Sequence, residues 1–275
     1  MITLPGRLVL LGHPVAHSLS PAFQNAALTA ARIPLLYQAV DVSSAHLAMT
    51  LARLVEENAA GNVTIPHKRT VARACAELTA QAERVGAVNT FAVRDGTLVG
   101  HNTDVAGFDQ AVKALLGAAP KGLTIGVFGA GGAAAAVLAA IESWSDCSAI
   151  VANRDATRAA MICERFRSVA QTGDAGSIAQ QADIVVNATS LGMVAGERGP
   201  VDPANLRRAT AVLDLVYAPG ETVFVRAARD RGIRAGDGLS MLVAQGAEAF
   251  TWWFGRRPDV EVMWQAVGRR PPGTA

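Results

Sequence analysis

The sequence has little charge, and the charge it has is scattered. Lys and Arg number 25 and Asp and Glu 23, giving a net charge of +2 over 275 residues. Basic residues never stand more than two in a row, whereas nucleic-acid binding needs many basic contacts to phosphates. We therefore expect no nucleic-acid partner.

Cysteine is also scarce, with Cys75, Cys147 and Cys163 as the whole set. Their number is odd, they form no CxxC pair, and none has a neighbouring His at metal-ligand spacing, which excludes a disulfide framework and a zinc site. We expect them to be buried small apolar residues. No metal is predicted, because the three further candidate ligands lie on different segments and lack ligand spacing. These candidates are His13, His17 and His67.

Long apolar runs are missing as well. Gly, Pro or charged residues interrupt every apolar stretch well before the roughly 18 residues that a membrane-spanning helix needs. The first five residues lack a basic region followed by an apolar segment, the pattern of a secretory leader. These absences predict a cytoplasmic protein with no membrane partner.

Short apolar runs alternate with amphipathic stretches along the chain, which indicates an α/β fold. Hydrophobic residues make up 51% of the chain, and its length suits two domains of about 100 to 150 residues each. The N-terminal α/β domain has predicted strands at 7–11, 36–42, 62–65, 88–94 and 97–100, the last two joined at Asp95-Gly96 by a tight hairpin turn. A second series at 123–128, 148–152, 184–187 and 211–215 predicts a doubly wound parallel sheet. The predicted domains are 1–103 and 104–237, followed by two closing helices within 238–275.

A glycine-rich loop follows the first strand of the second series. It fits the G-x-G-x-x-G/A pattern of Rossmann-type dinucleotide sites because a strand precedes it and an Ala-rich helix follows. Gly129 permits the tight turn, Gly131 lets backbone amides approach a pyrophosphate, and Ala134 lets the helix lie close to the sheet. The alternative is a flexible glycine turn without a ligand. The predicted cofactor loop comprises Gly129, Ala130, Gly131, Gly132 and Ala133.

The second strand of this series ends at Asn153-Arg154, where an NAD enzyme usually has an acidic residue. Arg154 and Arg158 stand one helical turn apart and can hold a 2′-phosphate by charge-assisted hydrogen bonds, which favours NADP. A solvated helix face is the alternative. Asp155 between them would repel a phosphate if it pointed inward, or would cap the helix if it turned away.

Polar residues of the first domain form a candidate substrate site. Ser18 and Ser20, at i and i+2, would place two hydroxyls on one side of an extended segment; Ser20 can instead cap the next helix, with Pro21 at its first position. Lys68 follows a strand end, and Asp104 stands at the domain junction within reach of it. Taken alone, these two would be a surface lysine and a helix cap. A cleft between the domains is the expected binding site.

Nine motifs in order resemble the shikimate dehydrogenase family from end to end. They are GHPVAHSLSPAFQN, NVTIPHK, GAVNT, NTDVAGF, GAGGAA, NRDATR, NATSLGM, DLVYAP and DGLSMLVAQGAEAF. The resemblance implies that Lys68 and Asp104 form the catalytic pair in an NADPH-dependent reduction of 3-dehydroshikimate to shikimate, a step of chorismate and aromatic amino acid biosynthesis. It implies a substrate-binding N-terminal domain onto which the last helices fold back.

The same resemblance assigns two sets of binding residues. The substrate set comprises Ser18, Ser20, Thr64, Lys68, Asn89, Asp104, Tyr217 and Gln245. The NADP set comprises the glycine loop with Asn153, Arg154, Arg158, Thr189, Leu215 and Gly238.

Four positions depart from the usual family pattern: Gln24 for His, Asp155 for Thr, Ser240 for Gly, and Ala80 for a common acidic residue.

Three alternatives remain open: a quinate/shikimate dehydrogenase paralog that uses NAD, a non-catalytic dinucleotide-sensing protein, and another dehydrogenase with a catalytic lysine. Lys68 would supply the proton, or it would only orient the substrate while water moves the proton. The oligomeric state is predicted as monomer or homodimer, and His101 as a loop residue without a role.

Overall fold

The computed structural model describes residues 4–218 and 220–270. This part of the chain divides into two compact units. The first runs up to Gly107 and resumes at Leu242, and the second spans Phe108–Met241. Both divisions fall inside helices, a few residues beyond the boundaries predicted at 103 and 237.

The first unit contains a six-stranded mixed sheet in the order β2-β1-β3-β5-β6-β4. β1, β2 and β3 are parallel neighbours, whereas β5 pairs antiparallel with both β3 and β6. The strands are β1 (Arg7–Gly12), β2 (Tyr37–Asp41), β3 (Ala59–Val63), β4 (Glu77–Leu78), β5 (Thr90–Arg94) and β6 (Thr97–His101). The helices are α1 (Ser20–Ala30), α2 (Leu47–Glu56), α3 (Lys68–Ala74), α4 (Ala80–Val85) and, at the junction, α5 (Asp104–Leu116).

The second unit contains a six-stranded parallel sheet in the order β12-β11-β10-β7-β8-β9. Its strands are β7 (Thr124–Phe128), β8 (Ser148–Ala152), β9 (Ala170–Thr172), β10 (Ile184–Asn187), β11 (Ala211–Asp214) and β12 (Arg234–Gly236). Its helices are α6 (Gly132–Ile141), α7 (Ala156–Arg165), α8 (Ala175–Gln181) and α9 (Val223–Arg229), with one 3-10 turn at Pro203–Asn205. The chain ends with α10 (Leu239–Phe254) and α11 (Val260–Ala266), and α11 packs against α1.

The burial of each strand follows its place in the sheet. β1 and β3 are central and almost wholly buried, so their residues are apolar or small apart from Arg7 and Asn62. β2 is at an edge, and most of its residues are at least partly exposed. Between β5 and β6, Asp95 and Gly96 have φ values of 50° and 72°, as the predicted hairpin turn requires.

Four local predictions were wrong. Ser20 is the first residue of α1 and makes no cap bond; Leu19 is the cap, and the Ser20 N–H donates to Ser18 Oγ at 3.2 Å. The segment before α1 is a turn, so strand alternation does not set the directions of the two serines. His101 ends β6 rather than lying in a loop, and Cys75 is only partly buried, although Cys147 and Cys163 are buried. Within the described residues, no helix is long and apolar enough to cross a membrane.

Candidate active site

Lys68 is positioned by the turn that follows β3. The Thr64 carbonyl accepts the His67 N–H at 3.0 Å, and the Thr64 N–H donates to the Leu11 carbonyl at 2.8 Å. His67 is buried, with Nε2 2.5 Å from the Val42 carbonyl, so its ring serves as a structural donor. α3 then starts at Lys68. The turn therefore fixes where the lysine side chain leaves the backbone.

Lys68 and Asp104 form a short, partly buried ion pair. Lys68 Nζ lies 2.6 Å from Asp104 Oδ2, with side-chain exposures of 21% and 6%. Asp104 is the first residue of α5, and its N–H donates to Asn102 Oδ1 at 3.1 Å. Charge-assisted hydrogen bonds of this length are among the stronger ones in proteins. The pair can present a fixed ammonium donor to a bound oxygen.

Asn89 connects Asp104 to the last long helix. Its Nδ2 lies 2.7 Å from Asp104 Oδ1, 3.0 Å from Thr103 Oγ1 and 3.3 Å from Gln245 Oε1. Its Oδ1 accepts the Thr103 N–H at 2.7 Å, which fixes the direction of the amide. Gln245 Nε2 donates to the Leu242 carbonyl at 2.8 Å. This buried network holds the second Asp104 oxygen while the first one binds Lys68.

The other predicted substrate residues lie outside these direct contacts. Ser18 and Ser20 bond to each other at the start of α1, Ser20 buried and Ser18 partly buried. Thr64 is partly buried beside the Lys68 turn. Tyr217 is partly buried and belongs to the second unit, after β11.

The glycine loop has the backbone that a dinucleotide site requires. Gly129 has φ = 116°, a value that favours glycine, and a Cβ there would lie 2.7 Å from the Ala188 carbonyl oxygen. Gly131 precedes α6, and a Cβ there would meet nothing within 4 Å. Ala130 and Ala134 are buried. The space beside Gly131 and the unpaired N–H groups at the helix start fit a pyrophosphate.

The predicted phosphate-binding arginines flank a helix cap. Asp155 caps α7 by accepting the Arg158 N–H at 3.2 Å, so of the two orientations considered for this carboxylate the capping one is observed. Its other oxygen lies 3.4 Å from Arg158 Nε, and both side chains are more than half exposed. Asn153 Nδ2 donates to the Asp155 carbonyl at 2.9 Å, and Arg154 is exposed. Arg154 and Arg158 are thus accessible, with Asp155 competing for one of them.

The remaining predicted cofactor residues stand at the carboxyl edge of the second sheet. Thr189 follows β10, and its hydroxyl donates to Asn187 Oδ1 at 2.6 Å. The Leu215 N–H donates to the Asn187 carbonyl at 2.9 Å. Gly238 approaches this edge closely, since a Cβ there would lie 2.1 Å from the Leu215 carbonyl oxygen.

Comparison with known proteins settles the family. Three family models match: the shikimate dehydrogenase substrate binding domain at residues 10–91, the shikimate / quinate 5-dehydrogenase at residues 112–216, and the shikimate 5'-dehydrogenase C-terminal domain at residues 238–267. The curated NADP(+) shikimate dehydrogenase of Moorella thermoacetica is 43% identical over 269 residues, which cover 94% of this chain and 91% of the relative. The chain belongs to the shikimate dehydrogenase family.

Solved structures of shikimate dehydrogenases have the same architecture. The Thermus thermophilus enzyme in complex with NADP(H) and shikimate matches with a TM-score of 0.87 at 36% identity, over 97% of this chain and 99% of that one. The Listeria monocytogenes enzyme in complex with shikimate and NAD matches with a TM-score of 0.85 at 31% identity, over 95% and 96% of the two chains. The predicted two-domain α/β fold is confirmed.

For this member of the shikimate dehydrogenase family, the sequence alone did not single out several buried polar residues. Thr90 bonds to Asn89, and Asn187, Asp214 and Thr222 form a separate network in the second unit. Asn and Asp at the carboxyl ends of apolar strands were the available signal, because parallel strands present ligands there.

Proposed function

We propose that this chain catalyses the reversible, NADPH-dependent reduction of 3-dehydroshikimate to shikimate in chorismate and aromatic amino acid biosynthesis. The observation that carries the proposal is the 2.6 Å pair of Lys68 and Asp104. It lies in the unit that matches the family's substrate binding domain. A fixed ammonium beside a buried carboxylate is the group that reduction of a ketone calls for, because the carbonyl oxygen gains charge as the bond is reduced.

In this proposal Lys68 donates a hydrogen bond, and then a proton, to the oxygen at C3 of the substrate. Asp104 holds the ammonium in place, and Asn89 holds Asp104. The residues that bind the substrate carboxylate and its other hydroxyls are Ser18, Ser20, Thr64, Asn89, Tyr217 and Gln245. The lysine is left neutral after the transfer and regains a proton from water.

NADP is the proposed cofactor. Its reduced nicotinamide supplies the hydride for C3 when it is bound. The amides of the glycine loop at Gly129, Ala130, Gly131, Gly132 and Ala133 bind the pyrophosphate. Arg154 and Arg158 bind the 2′-phosphate, while Asn153, Thr189, Leu215 and Gly238 line the rest of the site.

A quinate/shikimate dehydrogenase that uses NAD is the second candidate. The contact between Asp155 Oδ2 and Arg158 Nε favours it, because an arginine occupied by a carboxylate binds a phosphate less well. The cytoplasmic location, and the monomer or homodimer, stay predictions.

The test is a panel of steady-state assays on the purified chain. Oxidation of NADPH and of NADH is followed with 3-dehydroshikimate, and reduction of NADP⁺ and of NAD⁺ with shikimate and with quinate. We expect the highest kcat/KM for 3-dehydroshikimate with NADPH. Higher values with NADH and quinate would select the second candidate, and cofactor binding without any turnover would contradict both.

A further inference from the structure

Asp214, the last residue of β11, is a fully buried carboxylate. Its Oδ1 accepts the Asn187 Nδ2–H at 2.8 Å and the Val216 N–H at 3.1 Å, and its Oδ2 accepts the Thr222 hydroxyl at 2.7 Å. Burial raises the pKa of Asp214 above its ordinary value, even though these hydrogen bonds act in the opposite direction. Burying a carboxylate is costly compared with an apolar residue of similar size. A Leu at this position would fill a similar volume without the desolvation penalty of a carboxylate.

The carboxylate sets the direction of a neighbouring amide. A carboxylate can only accept hydrogen bonds, so Asn187 must present its Nδ2 to Asp214 and its Oδ1 to the other side. There Oδ1 accepts the N–H of Thr189 at 3.1 Å and its hydroxyl at 2.6 Å, while the second Nδ2–H donates to the Leu191 carbonyl at 2.9 Å. Asp214 thereby fixes, through Asn187, the turn at residues 188–192.

The Thr189 hydroxyl is committed within this turn. It donates to Asn187 Oδ1 and accepts the Leu191 N–H at 3.1 Å. A hydroxyl has one proton to donate. Thr189 can therefore face a cofactor with its backbone or its methyl group, and the hydroxyl proton has a structural task.

The turn borders the glycine loop. The Ala188 N–H donates to the Phe128 carbonyl at 2.8 Å, and the Ala188 carbonyl oxygen is the atom that a Cβ on Gly129 would meet. β7 and β10 are neighbours from which the chain winds outward in opposite directions. In open parallel sheets this switch point, at the carboxyl ends of the strands, is where ligands bind. The turn is thus a second wall beside the loop proposed to bind the pyrophosphate.

We propose that Asp214 is a positioning residue for the cofactor site: through Asn187 it holds the 188–192 turn, and through its own hydrogen bonds it holds Val216 and Thr222, in the arrangement that binds NADP. This rests on the proposed function, since the cofactor assignment does. Asp214 contacts only protein groups in this proposal, so its replacement should change the affinity for the cofactor rather than the rate of proton transfer.

The test compares Asp214→Ala with Asp183→Ala by calorimetric titration of the full chain with NADPH, without substrate. Asp183 also supports β10, but from the opposite edge of the sheet, where it accepts the Thr124 N–H at 2.9 Å and pairs with Arg208 at 3.0 Å. We expect Asp214→Ala to raise the Kd for NADPH at least tenfold and Asp183→Ala to change it less than twofold.

A Kd for NADPH that Asp214→Ala leaves unchanged, or that Asp183→Ala raises equally, would overturn the proposal. Should Asp214→Ala fail to fold, Asn187→Ala decides, because it removes the amide through which Asp214 holds the 188–192 turn. A loss of NADPH affinity of threefold or more supports the positioning role, and an unchanged affinity refutes it. Because no substrate is present, lack of turnover of 3-dehydroshikimate by the wild-type chain would count against the proposed function alone.

Discussion

At the scale of single residues, the proposed chemistry depends on how firmly Asp104 is held. One of its oxygens accepts from Lys68 and the other from Asn89. Asn89 is in turn oriented by the Thr103 N–H. Because each partner has its own anchor, the Lys68 ammonium has one preferred position before any substrate binds.

Replacing Asp104 by Asn should therefore lower kcat more than it weakens substrate binding. The amide keeps the size of the side chain but removes the charge that holds the ammonium, so we expect kcat for 3-dehydroshikimate to fall at least about tenfold. Asp109→Asn is the matched control, since Asp109 pairs with Lys113 at 2.7 Å on the same helix. Steady-state kinetics across pH measure both; equal kcat values for the two variants at every pH would show that the pair has no catalytic part.

His101 should make the fold sensitive to acid. Its ring stacks on Trp252 with centroids 5.2 Å apart, and Nδ1 lies 2.8 Å from Thr79 Oγ1. Burial, and then the charge of Arg94, lower the pKa of His101 from its ordinary 6.5 to about 4. Between these pH values His101 binds a proton in the unfolded chain but not in the folded chain. The free energy of unfolding therefore falls as the pH falls from about 6.5 to 4.

The variant His101→Phe keeps an aromatic face towards Trp252 but binds no proton. We expect the urea midpoint of the wild type to drop relative to that of His101→Phe as the pH is lowered through this window. Parallel pH profiles for the two proteins would contradict the assignment.

At the scale of the elements, the start of α6 is shaped by two glycines with different tasks. Gly129 needs its positive φ and the close approach to Ala188, whereas Gly131 has an ordinary φ of −93° and free space beside it. A methyl group on Gly131 would meet no atom within 4 Å but would occupy the space proposed for the pyrophosphate.

Gly131→Ala should consequently bind NADPH at least tenfold more weakly while its Tm stays within about 2 °C of the wild type. Gly129→Ala should lower the Tm as well, because a non-glycine residue at positive φ costs of order 1 kcal/mol or more. Calorimetric titration and thermal unfolding measure the two quantities. Unchanged NADPH affinity in Gly131→Ala would place the pyrophosphate elsewhere.

The start of α7 should set the preference between NADPH and NADH. Asp155→Thr keeps a capping side chain and removes the carboxylate that contacts Arg158, so the ratio of kcat/KM for NADPH to that for NADH should rise several-fold. Asp174→Thr is the control, since Asp174 caps α8 by accepting the Ser177 N–H. A ratio that shifts equally in both variants would mean that Arg158 does not bind the 2′-phosphate.

At the scale of the whole molecule, the long apolar strands and the glycine loop were predictable because their signals are local. The short strands β4, β9 and β12 carry too few residues to form a pattern and were missed. The turn at Ser18 was not predicted because a serine hydroxyl can bond to a nearby backbone N–H and so compete with strand or cap geometry. Here Ser18 Oγ accepts the Ser20 N–H. Contacts such as Asn89 with Gln245, 156 residues apart, come from the folded topology and have no periodic trace in the chain.

Single-turnover oxidation of bound NADPH measures whether Lys68 delivers a proton to 3-dehydroshikimate. The enzyme, saturated with NADPH, is mixed with excess 3-dehydroshikimate, and Lys68→Met is compared with Lys113→Met, which removes a lysine from an exposed pair. We predict that the wild type and Lys113→Met oxidise NADPH at similar rates and that Lys68→Met is slower by about 10²-fold or more. A Lys68→Met rate close to that of the wild type, with only weaker binding of the substrate, would contradict the account and leave the lysine as an orienting group.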